Sequence, residues 1–431
     1  IARATADPSR GVTLTPFDIA LLRILGAGSV LLPWGVWLVR SGTARGWLGV
    51  SPLPWRTTVL TGFFGGLLYA LLAYAGFVYA PAAHASVLLP GSLPFATAVI
   101  AWLWLGQKPS RPQRIALALV FGAVANKTNF CTMGAISDIV NMEHWGRMRM
   151  WLLTIAIAVL GANLLYYVGW IDLSKSVYQR PILPWLSLLL GGFLFGVGMT
   201  IAAGCTNKNL VRLGGGSLRS LVVLVFLSIS AYMTLKGLLG HWRVSYLDPI
   251  AIDMARWSLS TQGVPQIVSK LTGLPEKSAL LTCSLVVGLG LMGFALKDRR
   301  FRANLPQVAG GATLGLLIVA AWYLTGHIGH GENPDTLETV YFATNTRTLE
   351  SMSFVAPTAY SLELLMLWSD KTLRVTFGIA TVVGVVLGSF AYAVGTRQFR
   401  WEGFASLEDL RTQLVGAVLM GFGGVTAIGC T

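Results

Sequence analysis

Apolar positions along the chain gather into runs long enough to cross a hydrocarbon core of about 30 Å, separated by short tracts rich in Gly, Pro, Lys and Arg. The runs fall near residues 17–39, 57–80, 84–105, 148–170, 182–203, 217–240, 279–296, 307–325, 374–396 and 411–429. They predict helices, because lipid offers backbone N–H and C=O groups no partner outside a helix or a closed barrel. Alternation at the strand period is absent, which sets a barrel aside. The expected fold is therefore all-α, a polytopic helical bundle of about ten spans.

Residues 114–138 break the pattern: the first half is apolar, while Asn126, Lys127 and Asn129 interrupt the second. The basic tracts suggest why. Arg40, Arg45, Arg56, Lys108, Arg111 and Arg114 place one face of the first part in the cytoplasm, and Arg147, Arg149, Lys208, Arg212, Arg219, Lys297, Arg299, Arg300 and Arg302 do the same for the second. A single crossing at 114–138 would set the two parts in opposite orientations. The charge pattern thus predicts a re-entrant hairpin with Cys131 near its turn. The longer polar stretches 241–278 and 326–373 predict amphipathic or partly inserted helices, and the acidic second stretch predicts an exported loop.

Composition narrows the class further. Of 431 residues, 54% are hydrophobic and 12% charged, with mean hydropathy +0.65, which excludes a soluble globular chain and makes the lipid bilayer the principal partner. The net charge of +14 sits between apolar runs, where it sets topology, so nucleic-acid binding is disfavoured. Trp34, Trp37, Trp47, Trp55, Trp102, Trp104, Trp145, Trp151, Trp170 and Trp185 gather toward predicted span ends and read as headgroup anchors. No signal peptide is read at Ile1, and a fragment is expected from the abrupt stop at Thr431.

Four cysteines make no disulfide framework here, yet three share one pattern. Residues 196–206 read GVGMTIAAGCT and residues 421–431 read GFGGVTAIGCT, with a weaker third copy, GAVANKTNFCT, at 122–132. In each a Gly stands nine residues before a Cys-Thr pair: Gly122 and Cys131, Gly196 and Cys205, Gly421 and Cys430. Packing in lipid gives no reason for that recurrence, whereas Cys283, in the plain run ALLTCSLVVG, reads as a small packing residue. Helices interrupted at such points expose backbone N–H groups. With Lys127, Lys208, Asn207, Thr132, Thr206 and Thr431 as donors and thiols as soft contacts, the chemistry suits a sulfur-bearing anion. The two lysines disfavour a metal cation at the thiols, and His327, His330 and Glu332 read as solvated loop residues, so neither a metal nor a cofactor is expected. His144 is an interfacial residue, and Arg23, inside the first run, either snorkels or faces a cavity. No Cys has a sequence-near general base, so no catalytic residue is assigned and an enzyme is not expected. Two other readings stand beside a membrane passage for such an anion: a membrane sulfurtransferase that forms a Cys persulfide, and a drug or metabolite exporter with packing cysteines.

Roughly 310 of the 431 residues, from about Leu119 onward, resemble the YeeE/YedE-type sulfur transporter family. The resemblance rests on NKTNFCTMGAISD, GGFLFGVGMTIAAGCTNKNLVRLGGGSLRS, SFVAPTAYSLELLMLWSDK and LVGAVLMGFGGVTAIGCT. It implies a thiosulfate uptake permease of a bacterial inner (cell) membrane, with some relatives linked to selenium metabolism. It implies further that Cys131, Cys205 and Cys430 hand the anion through the pore, in a fold of two pseudo-symmetric halves with short helices dipping in around them. A cytoplasmic sulfur-carrier protein is the implied downstream partner. The family motif continues past Thr431, so this domain, 119–431, is expected to be truncated at its C-terminus. The run YAGFVYAPAAHASVLLPGSLPFATAVIAWLWLGQKPSRPQRIALAL within 1–118 is similar to EamA-type drug/metabolite transporters, with Leu105-Gly106-Gln107 at the place of their LGE-type turn. Only part of one such repeat is present, so this portion is not expected to transport alone, and the seam is placed within Arg114 to Gly122.

Overall fold

A computed structural model describes residues 111–429, except 260, 333–338, 342–343, 371–372 and 405, all within the unit Ala101–Thr431. The predicted runs 17–39, 57–80 and 84–105, Arg23, the first-part basic tract up to Lys108, and Cys430 and Thr431 lie outside the described residues. In chain order the helices are α1 (Arg111–Thr128), α2 (Thr132–Met142), α3 (Gly146–Tyr167), α4 (Trp185–Ile201), α5 (Thr206–Gly214), α6 (Leu218–Lys236) and α7 (Leu238–Trp242). There follow α8 (Val264–Thr272), α9 (Glu276–Leu296), α10 (Arg299–Ala303), α11 (Leu305–Tyr323), α12 (Val355–Met366), α13 (Phe377–Gly395) and α14 (Leu407–Thr426).

The expected spans match α3, α4, α6, α9, α11, α13 and α14 to within a few residues, because uninterrupted apolar length is the signal that lipid reads. Seven segments of the described residues are long and apolar enough to cross a membrane, two of them joining helices on either side of a cysteine: Ile115–Met142 and Trp185–Gly214. The polar stretch 241–278 holds a π-helical turn, the strand β2 (Ile252–Asp253) paired antiparallel with β1 (Ile182–Leu183), and the amphipathic α8. The stretch 326–373 holds the hairpin of β3 (His330–Glu332) and β4 (Thr339–Tyr341) and the short α12. Large apolar side chains such as Leu189, Phe193 and Val286 are exposed on the long helices, as lipid-facing positions should be.

Helices pack through small residues, since lipid supplies no hydrophobic force to press them together and close backbone approach must supply the contact. A Cβ on Gly198 would stand 2.8 Å from the carbonyl oxygen of Gly416, and one on Gly388 only 1.9 Å from that of Leu119. The first pair seals α4 against α14, the second α13 against α1. Ala202, Val223, Leu227, Ala231, Val355, Ala359, Ala417 and Met420 fill the core between α4, α6, α12 and α14.

The hairpin expected at 114–138 is replaced by a broken crossing. Thr128 lies against Gly310 near the start of α11, while Phe121, two turns earlier, stacks on Phe354 at 5.7 Å between centroids. Three residues before Phe354, the Ser351 hydroxyl donates to the Ile318 carbonyl, further along α11. So α1 runs antiparallel to α11 and arrives at the side where α11 begins. Helix α3 begins on that side too, with Arg149 paired to Asp298 between α9 and α10. Helix α2 stays there, its Asp138 ion-paired with Arg147. Side-chain packing on α11 and α13 sets this path, against the one that loop charge suggests.

Candidate functional site

The repeated cysteines stand just past three identical backbone breaks. Helix α1 ends in a left-handed residue, Asn129 (φ 53°), and the next N–H, of Phe130, returns to the Ala125 carbonyl at 3.0 Å. Helix α4 ends with Ala203 (φ 54°), and Gly204 N–H returns to Met199 at 2.9 Å. Helix α14 ends with Ile428 (φ 59°), and Gly429 N–H returns to Gly424 at 2.9 Å. Each is a Schellman closure, which satisfies the last helical carbonyls and turns the chain out of the helix. Asn tolerates the left-handed region, but Ala and the β-branched Ile do so under strain, and strain of this kind collects at functional sites. The following residue is the cysteine.

Cys131 and Cys205 then begin new helices. Cys131 is extended (φ −164°, ψ 127°) at the N-cap of α2, its Sγ accepting the Gly134 N–H at 3.4 Å. Cys205 holds the same place before α5. Both are buried, and the Cys205 side chain and backbone are hydrogen-bonding partners of the Cys131 thiol. Two half-helices thus aim their N-termini, with exposed N–H groups, at one place, which favours negative charge.

That place is a cavity of about 720 Å³, lined among others by Cys131, Thr132, Cys205, Asn207, Tyr178 and Gly429. Of the residues expected to bind, the cavity brings together Cys131, Cys205, Thr132 and Asn207, and Gly429, the neighbour of Cys430 in sequence, lines it too. Lys208 stands one turn into α5 and donates its ammonium to the Asn129 carboxamide, so it braces the first break rather than lining the cavity. Thr206 is fully buried, and neither its hydroxyl nor the Asn207 carboxamide oxygen has a hydrogen-bond partner in the structure. Lys127, in the last turn of α1, does not line the cavity. Cys283 lines a different, smaller cavity of about 250 Å³.

Residues beside the Cys-Thr pairs, inside the same motif stretches, build the frame of the site. Asn126 donates to the Ser389 hydroxyl at 2.7 Å, and that hydroxyl donates to the Val211 carbonyl at 2.5 Å, so α13 ties α1 to α5 and fixes the two cysteine arms together. Asn209 donates to the carbonyls of Gly204 and Cys205, and Arg212 to that of Ala203, holding the second break. Besides their place in these stretches, their signal is polar residues inside apolar helices, which lipid tolerates only when partnered. His327 Nδ1 lies 3.0 Å from the Trp170 carbonyl oxygen, and among the described residues no group of three His, Cys, Asp or Glu is placed to hold an ion.

Apolar helices long enough to cross a membrane, broken at thiols that share one cavity, mark a multi-pass membrane transport protein. The chain belongs to the sulphur transport family, whose match spans residues 127–431. Residues 9–126 match the EamA-like transporter family. The chain is similar to the thiosulfate transporter TsuA of Escherichia coli strain K12, 25% identical over 323 residues, covering 72% of this chain and 82% of that protein. It is similar also to the thiosulfate transporter TsuA of Spirochaeta thermophila, 22% identical over 324 residues, covering 73% of this chain and 87% of the relative.

Proposed function

We propose that this protein is a permease for thiosulfate or a closely related sulfur-containing anion, which passes the cavity lined by Cys131 and Cys205 without covalent chemistry, with Cys430, next in sequence to Gly429, as a third thiol on its way. The observation that carries the reading is the meeting of Cys131 and Cys205, from two separately broken helices, in one cavity that Gly429 also lines. Thiols donate weak S–H hydrogen bonds to a soft, polarisable terminal sulfur, while the helix N-termini and the Lys208 ammonium offset the anion's charge. Thr132 and Asn207, which line the cavity, complete the donor set in this reading, with Thr431 next to Cys430 in sequence; Lys127 and Thr206 lie outside the lining. The buried Thr206 hydroxyl has no internal partner, and in this reading Asn207 offers the anion its carboxamide N–H groups, since its oxygen can only accept. The protein works in a bacterial inner membrane and delivers the anion to a cytoplasmic sulfur-carrier protein.

Uptake of radiolabelled thiosulfate by cells that lack other thiosulfate importers tests the reading. Cys205→Ala is expected to lose most uptake at unchanged membrane abundance, because the soft contact goes while little volume changes. Cys283→Ala is expected to transport like the parent. Normal transport by Cys205→Ala overturns the thiol pathway. A persulfide on Cys131 or Cys205 after turnover, found by mass spectrometry, would replace the non-covalent step by a sulfurtransferase reaction.

A further inference from the structure

A second cavity, of about 480 Å³, lies beside the thiol chamber and is lined by Arg180, Arg243, Glu350 and Tyr360 among others. Two residues line both cavities, Tyr178 and Gly429. Gly429 holds a conformation that a side chain would strain (φ +145°), and a Cβ placed on it would stand 3.4 Å from the Tyr178 hydroxyl oxygen. The phenol therefore lies directly against the backbone that leads into Cys430. Its ring is held edge-to-face by Trp322 of α11, with centroids 6.4 Å apart and planes at 74°. Its main chain is pinned on both sides: Tyr178 N–H donates to the Ser176 hydroxyl at 3.2 Å, and its carbonyl accepts from the Gln262 carboxamide at 2.7 Å.

We propose that Tyr178, closing on Gly429, is the gate between an outer anion-receiving cavity and the thiol chamber. The inference rests on the transport reading above for the identity of the anion, and on the shared lining for the gate itself. A tyrosine suits the position. Its ring is rigid and fills the passage when held by Trp322, and its O–H donates a hydrogen bond to an oxyanion that passes. The outer cavity carries Arg180 and Arg243 to draw an anion in, but Asp248 pairs with Arg243 at 3.4 Å, so that site holds an anion loosely and releases it inward.

The test reads thiol protection, which needs no transport. Sealed vesicles of each orientation are treated with a charged, membrane-impermeant methanethiosulfonate, and modification of Cys131 and Cys205 is followed by peptide mass spectrometry. From the side of the 480 Å³ cavity, the parent and Tyr178→Phe are expected to react slowly, since both keep the ring. Tyr178→Ala is expected to react at least about tenfold faster, as loss of a large side chain opens a void that the surroundings fill only in part. If Tyr178→Ala does not fold, Tyr178→Leu makes the same comparison. Equal rates in the parent and the truncated variant overturn the gate, as does a Tyr178→Phe rate equal to that of Tyr178→Ala. Uptake separates the roles: Tyr178→Phe is expected to raise the KM for thiosulfate roughly tenfold through loss of one hydrogen bond to a charged group. Fast labelling in Tyr178→Ala together with no thiosulfate uptake by the parent would leave the gate standing and remove the thiosulfate assignment.

Discussion

Lys208, on the helix that follows the second cysteine, donates its ammonium to the carboxamide of Asn129, the left-handed residue that breaks the helix before the first. The two repeats are thereby coupled, the second supplying the cation that holds the break of the first. One charge serves two purposes there: it fixes a strained turn and it stands near Cys131.

The Lys208 contact predicts graded effects. Lys208→Gln is expected to keep the brace through its carboxamide while losing the charge, so thiosulfate uptake falls partway. Lys208→Glu adds like charge beside the anion and leaves Asn129 without a donor, so uptake is expected to fall by tenfold or about that, at equal membrane abundance. Unaltered uptake in Lys208→Glu places the residue outside the anion's path.

Glycines of one short stretch should behave oppositely. A Cβ on Gly198 meets the Met420 nitrogen at 2.7 Å, whereas one on Gly196 meets nothing within 4 Å. Gly198→Ala is expected to destabilise the protein by about 1–3 kcal/mol through overpacking between α4 and α14. Gly196→Ala is expected to be neutral or stabilising by about 0.5–1 kcal/mol, since Ala is the better helix former. Thermal unfolding of the detergent-solubilised variants decides, and equal losses in both would contradict this packing.

The broken crossing has its own test. Cysteines introduced singly at Gln113 and Asn141 are expected to label from opposite sides of sealed vesicles, each measured against the parent. Labelling of both from one side restores the hairpin that loop charge suggests.

Glu350 offers a pH signature. Burial raises its carboxyl above the ordinary carboxylate range, against a smaller opposing effect of its hydrogen bond from Thr346. A carboxyl whose affinity for the proton rises on folding contributes stability below its unfolded pKa and loses it as pH climbs through the raised folded value. Stability of the parent is therefore expected to fall as pH rises through that raised value, and Glu350→Gln to flatten the fall, as read from melting temperatures over a pH series. An identical slope in both proteins would show that Glu350 does not titrate there.

The sequence by itself determined the membrane class, the placement of the long helices in the described residues, and the three Gly-to-Cys intervals. Those are local properties: hydrocarbon thickness sets the length of an apolar run, and a repeat is visible without knowing what it touches. It also marked Cys131, Cys205, Thr132 and Asn207, because the Gly to Cys-Thr spacing recurs where packing in lipid gives no reason for it. Tertiary structure decided what those residues do together. That Asn129, Ala203 and Ile428 share a left-handed break is a matter of backbone dihedral angles, and neither Ala nor Ile signals one. Whether Gly196 or Gly198 is the packing glycine depends on which faces α14. The path of α1, the Asn126–Ser389–Val211 link and the position of Tyr178 between two cavities are set by contacts between residues as far as 263 positions apart, and no local pattern encodes such distances.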